Sequence, residues 1–145
     1  MKKFLSILMV LTMVLSLGIT AFAAENTGSI TITNATIGET YKVYKVFDAS
    51  LKLGTNGSAE AVAYSIETDN QFFEALFGAD GTAANTFFTY NANTGSVTKK
   101  EGVNDSELIK YLTELVQKGS FKSAADPIKA AAEEIEFSNL PYGYY

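Results

Sequence analysis

Cysteine, histidine and arginine are all absent from the 145 residues, and each absence removes a class of chemistry. Without cysteine there are no disulfides, so a domain of this size is held by its own core, by a metal or by some other covalent link. With histidine missing as well, Ser-His-Asp and Cys-His arrangements are impossible, and zinc finds neither thiolate nor imidazole. Without arginine there is no bidentate fork for phosphate. Charge points the same way: 11 lysines stand against 16 aspartates and glutamates, for a formal net charge of −5. An acidic chain repels nucleic acid and anionic lipid, so nucleic-acid binding is excluded.

What is present first is an export signal. Lys2 and Lys3 precede an apolar run from Phe4 to Leu17 that Ser6, Thr12 and Ser16 interrupt. Ala21-Phe22-Ala23 then gives the small-x-small pattern that a signal peptidase accepts, and Ala24-Glu25-Asn26 turns polar. Residues 1–23 therefore read as a secretory signal peptide cut between Ala23 and Ala24. The run is shorter than the ~20 residues of a spanning helix, and no later run approaches that length. The expected mature protein is an exported single domain, 24–145, with no membrane segment. It keeps nine lysines against sixteen acids, a charge of −7.

Along the mature chain, Ser29-Ile30-Thr31-Ile32-Thr33 has the period of two of a half-buried strand. Thr40 to Phe47 is rich in β-branched and aromatic residues and predicts a second strand. The Asn56-Gly57 step predicts a tight turn, with Ala61–Glu67 as hairpin partner and Val62, Tyr64 and Ile66 on one face. Phe72, Phe73, Leu76 and Phe77 predict a short helix from Asp69 to Phe77, stopped by Gly78. Thr86–Tyr90 and Val97 read as strands around a turn at Asn91–Gly95. The clearest helix runs from Asp105 to Lys118, capped by Asn104 or Asp105 and striped by Leu108, Leu112, Leu115 and Val116. Alanine-rich Ser123–Ala132, with Pro127 near its start, predicts another short helix. Ile135–Phe137 returns to strand character, and Leu140–Tyr145 opens a further strand, as though the sequence were a fragment of a longer protein.

Few residues invite chemistry. Glu133, Glu134 and Glu136 are close in sequence, and paired carboxylates can run glycoside hydrolysis, although a solvated charge cluster explains them as well. Asp80, Asn85, Asn91 and Asn93 offer oxygen ligands without calcium-loop spacing, and turn formation accounts for them. No catalytic residue, metal or cofactor is expected. Alternation places Lys45 on the face of Tyr41, Val43 and Phe47, where burial would favour the neutral amine and, beside a buried carboxyl, permit attack on an Asn amide to make a side-chain isopeptide bond in place of the missing disulfides. The alternative is that Lys45 lays its stem along the sheet and reaches solvent.

Two motifs carry a resemblance. Gly28-Ser-Ile-Thr-Ile-Thr-Asn34 with Gly38-Glu-Thr-Tyr-Lys-Val-Tyr-Lys-Val-Phe-Asp48, and Phe137-Ser-Asn-Leu-Pro-Tyr-Gly-Tyr-Tyr145, resemble the N-terminal domain of Gram-positive, sortase-assembled major pilins. The resemblance implies a mainly β, Ig-like sandwich with two or three inserted short helices. It also implies a shaft subunit of a cell-wall pilus that supports adhesion, with other pilin subunits and sortase as partners. The family's Tyr-Pro-Lys motif and its terminal sorting signal are absent from these residues. Val43-Tyr44-Lys45 lacks the proline and lies at the other end of the domain, so the linking role is not transferred to Lys45. The rival expectation is an Ig-like adhesin module, wall-anchored or secreted, binding a host protein or glycan receptor.

Overall fold

The computed structural model describes residues 27–55 and 59–145. The signal peptide, the Ala23/Ala24 cleavage site and the Asn56-Gly57 turn lie outside them. The described residues form a mainly β structure of antiparallel sheets with two short helices. In chain order the strands are β1 (Thr27–Ile32), β2 (Thr40–Tyr41), β3 (Phe47–Leu53), β4 (Ala59–Ser65), β5 (Phe88–Asn91), β6 (Ser96–Lys99), β7 (Ile128–Lys129), β8 (Ile135–Pro141) and β9 (Gly143–Tyr144). Helix α1 is Phe73–Phe77, and α2 is Asp105–Lys118. Five strands join in the order β5-β6-β4-β3-β9, while β1 pairs with β8 and β2 with β7.

Two apolar cores follow from this arrangement. The larger gathers Val46, Phe47, Ile66, Phe88 and Val97 from the five-stranded sheet and its flanks, closed by Phe72, Phe73, Leu76 and Phe77 around α1 and by Leu108 of α2. The smaller lies under β1 and β8 and contains Ala35, Val43, Ala130, Ile135, Phe137 and Leu140. Register explains how β8 serves the smaller core. Gly28 pairs with Leu140 and Ile30 with Phe137, so β8 carries one extra residue there. Asn139 takes a positive φ of 56° within this bulge, which lets Phe137 and Leu140 both face inward although they are three apart.

The segment predicted as one strand over 40–47 is divided. Only Thr40–Tyr41 and the stretch from Phe47 are strands, and Lys42–Val46 is irregular. The cause is a change of partner: Val43 belongs to the smaller core, whereas adjacent Val46 and Phe47 are both buried in the larger one. Strict alternation cannot bury two neighbours, so the pleat breaks. The predicted face of Tyr41, Val43, Lys45 and Phe47 is therefore not formed.

The predicted helix over Ser123–Ala132 is also absent. Ile128 and Lys129 pair with Tyr41 and Thr40, and Ala130 exchanges backbone hydrogen bonds with Glu39 and Gly38 at 2.9 and 2.8 Å. Pairing across the fold outweighs the weak helical preference of alanine. The short phenylalanine helix begins at Phe73 rather than Asp69, because the Asn70 side chain accepts a hydrogen bond from Phe72 N and holds a turn. The partner of β3 starts at Ala59, with Val62 47% exposed, so Val62, Tyr64 and Ile66 do not share a buried face. By contrast, α2 has the predicted limits, and the Asn104 side-chain Oδ1 accepts from Ser106 N and Glu107 N at 2.9 and 3.3 Å.

Candidate interaction groove

An apolar groove of about 510 Å3 runs between α2 and the irregular Lys42–Val46 segment, with Tyr144 and Tyr145 along one side. Helix α2 supplies Leu112 and Val116 to it, and Ile109 stands 63% exposed at its rim. Tyr144 is fixed from beneath, its ring 5.8 Å from Tyr64 in an edge-to-face contact and 5.9 Å from Phe47. Burial raises the Tyr144 phenol above its ordinary range, and the positive charge of Lys99 partly offsets this. The Tyr145 hydroxyl donates to the Pro141 carbonyl at 2.7 Å. Burial, with a smaller push from Asp48, raises that phenol too.

Lys45 lies beside this groove in a second, polar crevice with Asn70, Gln71 and Lys122. Its side chain is 25% exposed, and its Nζ lies 2.6 Å from Asp48 Oδ1. The stem passes over Gly143, where a Cβ would stand 2.8 Å from Lys45 Cγ and Cδ. Thus the stem crosses the sheet while the ammonium pairs with a carboxylate. An amide bond to Asp48 would close only a three-residue loop and join no two strands.

The other candidates have local roles. Glu133, Glu134 and Glu136 are all exposed, so they form no facing carboxylate pair in a cleft. Asp80 accepts hydrogen bonds from Thr82 Oγ1 and Thr82 N, and these hold its carboxyl below the usual range. Asn91 Oδ1 accepts from Asn93 N within the turn that Gly95 completes at φ 68°. Among the described residues no three acidic side chains are grouped to hold a metal ion.

Asn85 is buried, and its roles exceed what turn formation suggests. Its Nδ2 donates to the Leu76 carbonyl and to Tyr111 Oη, and its Oδ1 accepts from Phe87 N and Phe88 N. One side chain thereby joins α1, α2 and β5. The sequence hint for the groove is Ile109, an apolar residue beside the Leu108–Leu112 stripe that extends it toward one flank of α2. No family model, curated protein or solved structure matches this chain.

Proposed function

We propose that this chain is an exported structural domain, the Ig-like N-terminal domain of a pilin-type shaft subunit, assembled by sortase at the cell surface with other subunits and supporting adhesion. One observation carries the reading: the separated motifs that resemble pilins meet in space. Gly28 and Ile30 pair with Leu140 and Phe137 of the C-terminal motif, and Phe47 and Asp48 pair with its Tyr144 and Gly143. Such convergence is what a shared fold requires of motifs so far apart in sequence. The exposure of Glu133, Glu134 and Glu136 also favours a structural role over carboxylate-dependent hydrolysis.

A second reading, an adhesin module that binds a host protein or glycan, draws on the groove, where Tyr44, Tyr144 and Tyr145 lie near exposed Ile109. The test is made in cells carrying the intact gene. The shaft reading expects the protein in the cell-wall fraction, beginning at Ala24, in a ladder of covalent multimers that survives boiling in detergent and vanishes without sortase. Wall or medium protein that is only monomeric would favour the adhesin module. Retention of residues 1–23 inside the cell would overturn both.

A further inference from the structure

The stretch of chain that crosses from α2 to β8 is fastened firmly at both ends and lightly between them. Upstream, the Phe121 ring stacks at 4.2 Å on Phe72, which is fully buried, and the Gln71 side chain bonds the Lys122 backbone twice. Downstream, buried Ile135 pairs with Ile32. Between these anchors, among the described residues, Ala124 N and Ser123 Oγ donate to the Val43 carbonyl. The two residues of β7 pair with β2, Ala130 bonds Glu39 and Gly38, and the Glu133 carbonyl accepts from Ala35 N at 2.8 Å. Ala130 alone of Ser123–Glu134 is buried, so a single methyl is what the smaller core holds firmly.

The local preference of this stretch opposes its observed shape. Asp126 stands before Pro127, the order of a helix cap and a first helical residue, and Lys129, Ala130, Ala131, Ala132, Glu133 and Glu134 are good helix formers. Asp126, Ala131 and Ala132 are exposed, and among the described residues the Asp126 carboxylate meets no lysine. A helix from Pro127 to Glu134 is too short to hold in water by itself, which keeps it a minor form while β7 is paired. Conflict between local preference and fold, confined to one lightly held stretch between firm anchors, is where a second conformation lies lowest.

We propose that Ser123–Glu134 is a latch, which exchanges between the observed strand-paired form and a released form in which Asp126 caps a helix from Pro127 to Glu134. Release breaks the bonds to Val43, to β2 with its flanking Gly38 and Glu39, and to Ala35, and it uncovers Ala35 and Val43 of the smaller core. Phe121 and Ile135 stay seated, so the larger core and the pairing of β1 with β8 are kept. The domain thereby has a proteinase-accessible form other than the unfolded chain, with Lys129 as its cleavage point. The latch requires neither polymerisation nor a receptor, so it stands apart from the shaft and adhesin readings.

The test uses the purified, isotope-labelled protein and a lysine-specific endoproteinase. Cleavage after Lys129 is expected in native buffer, at a rate that barely changes with urea below the unfolding transition, because a partial opening exposes little surface. Hydrogen exchange at Ala35, Gly38, Ala124 and Ala130 should share that opening. Asp126→Ala removes the cap from the released form alone and should slow exchange at Ala35 and Gly38 about fivefold, whereas Asp126→Asn, which caps as well, restores it. Ala131→Thr combined with Ala132→Thr, both at exposed positions, should slow it about five- to tenfold. Cleavage and exchange that follow the urea slope of global unfolding would overturn the proposal. So would an opening that the Asp126→Ala and double threonine variants leave at the wild-type rate, because the stretch would then fray without a helical second form.

Discussion

The side-chain amide of Gln71 grips the backbone of Lys122 from both sides, donating to its carbonyl at 2.9 Å and accepting from its N–H at 2.6 Å. Beside this clamp the Phe72 and Phe121 rings stack at 4.2 Å. The segment after α2 is thus attached to the turn before α1, which leads Ala124 to Val43. Gln71→Ala removes both bonds at an exposed position, where water replaces part of their energy. The expected loss is about 1 kcal/mol, seen as a lower urea midpoint with an unchanged slope. Hydrogen exchange at the Lys122 amide should quicken well beyond the global change.

Asn85 is the polar counterpart at the centre. Asn85→Ala leaves two backbone N–H groups, one carbonyl and the Tyr111 hydroxyl without this partner in a place water does not freely reach. A loss of about 3 kcal/mol is expected from thermal or urea unfolding. Asn85→Asp should cost at least as much, since an oxygen then faces the Leu76 carbonyl where a donor stood. A variant of nearly native stability would show that the amide is not the tie between the helices and β5.

These two residues show where sequence reasoning succeeds and stops. Helix α2 was legible to its ends because the cap at Asn104, the leucine stripe and Gly119 are local signals that agree. β1 was legible because Ile30 and Ile32 alternate against one core. Lys42–Val46 and Ser123–Ala132 were not, because distant partners decide them: Tyr144 and Ala124 for the first, Thr40 and Tyr41 for the second. The groove was legible only as the stray apolar Ile109. Its other wall, Tyr144 and Tyr145, arrives from the far end of the sequence.

Gly143 illustrates a constraint of this distant kind. A Cβ there would lie 2.7 Å from the Phe47 carbonyl oxygen as well as against the Lys45 stem. The backbone oxygen cannot yield without opening the pairing of β3 with β9. Gly143→Ala is therefore expected to cost about 1–3 kcal/mol, with loss of the near-ultraviolet tyrosine signal from Tyr144 before global unfolding. Retention of that signal at native stability would mean that β9 has room to shift.

Asn139 is a constraint of backbone angle. At φ 56° it occupies the left-handed region, which glycine adopts freely and β-branched residues resist. Asn139→Gly should change stability by only a few tenths of a kcal/mol, whereas Asn139→Val should lose about 1–2 kcal/mol. The side chain is exposed, so the contrast isolates conformation from packing. Equal stability of the two variants, measured by urea denaturation, would indicate that the bulge is not needed to turn Phe137 and Leu140 inward.

The last prediction concerns alkaline pH. The Tyr144 phenol is raised in the fold above its unfolded value of 10.0, first by burial. A raised pKa means that the fold favours the neutral form. The resulting stability is complete below the unfolded value and is lost as pH rises through the folded one. Tyr145, raised also by burial, acts in the same direction. Lys99 is raised by its hydrogen bond and attraction to Asp105 at 2.7 Å, and it too loses its contribution over alkaline pH. Its exposure makes that contribution small. The midpoint of thermal unfolding should accordingly fall above about pH 10. Tyr144→Phe removes the ionisable group while keeping the ring contacts with Phe47 and Tyr64, so its alkaline decline should be shallower. Making the comparison in a Lys99→Gln background separates the phenol from the ion pair. If the two curves still coincide there, Tyr144 does not couple folding to pH.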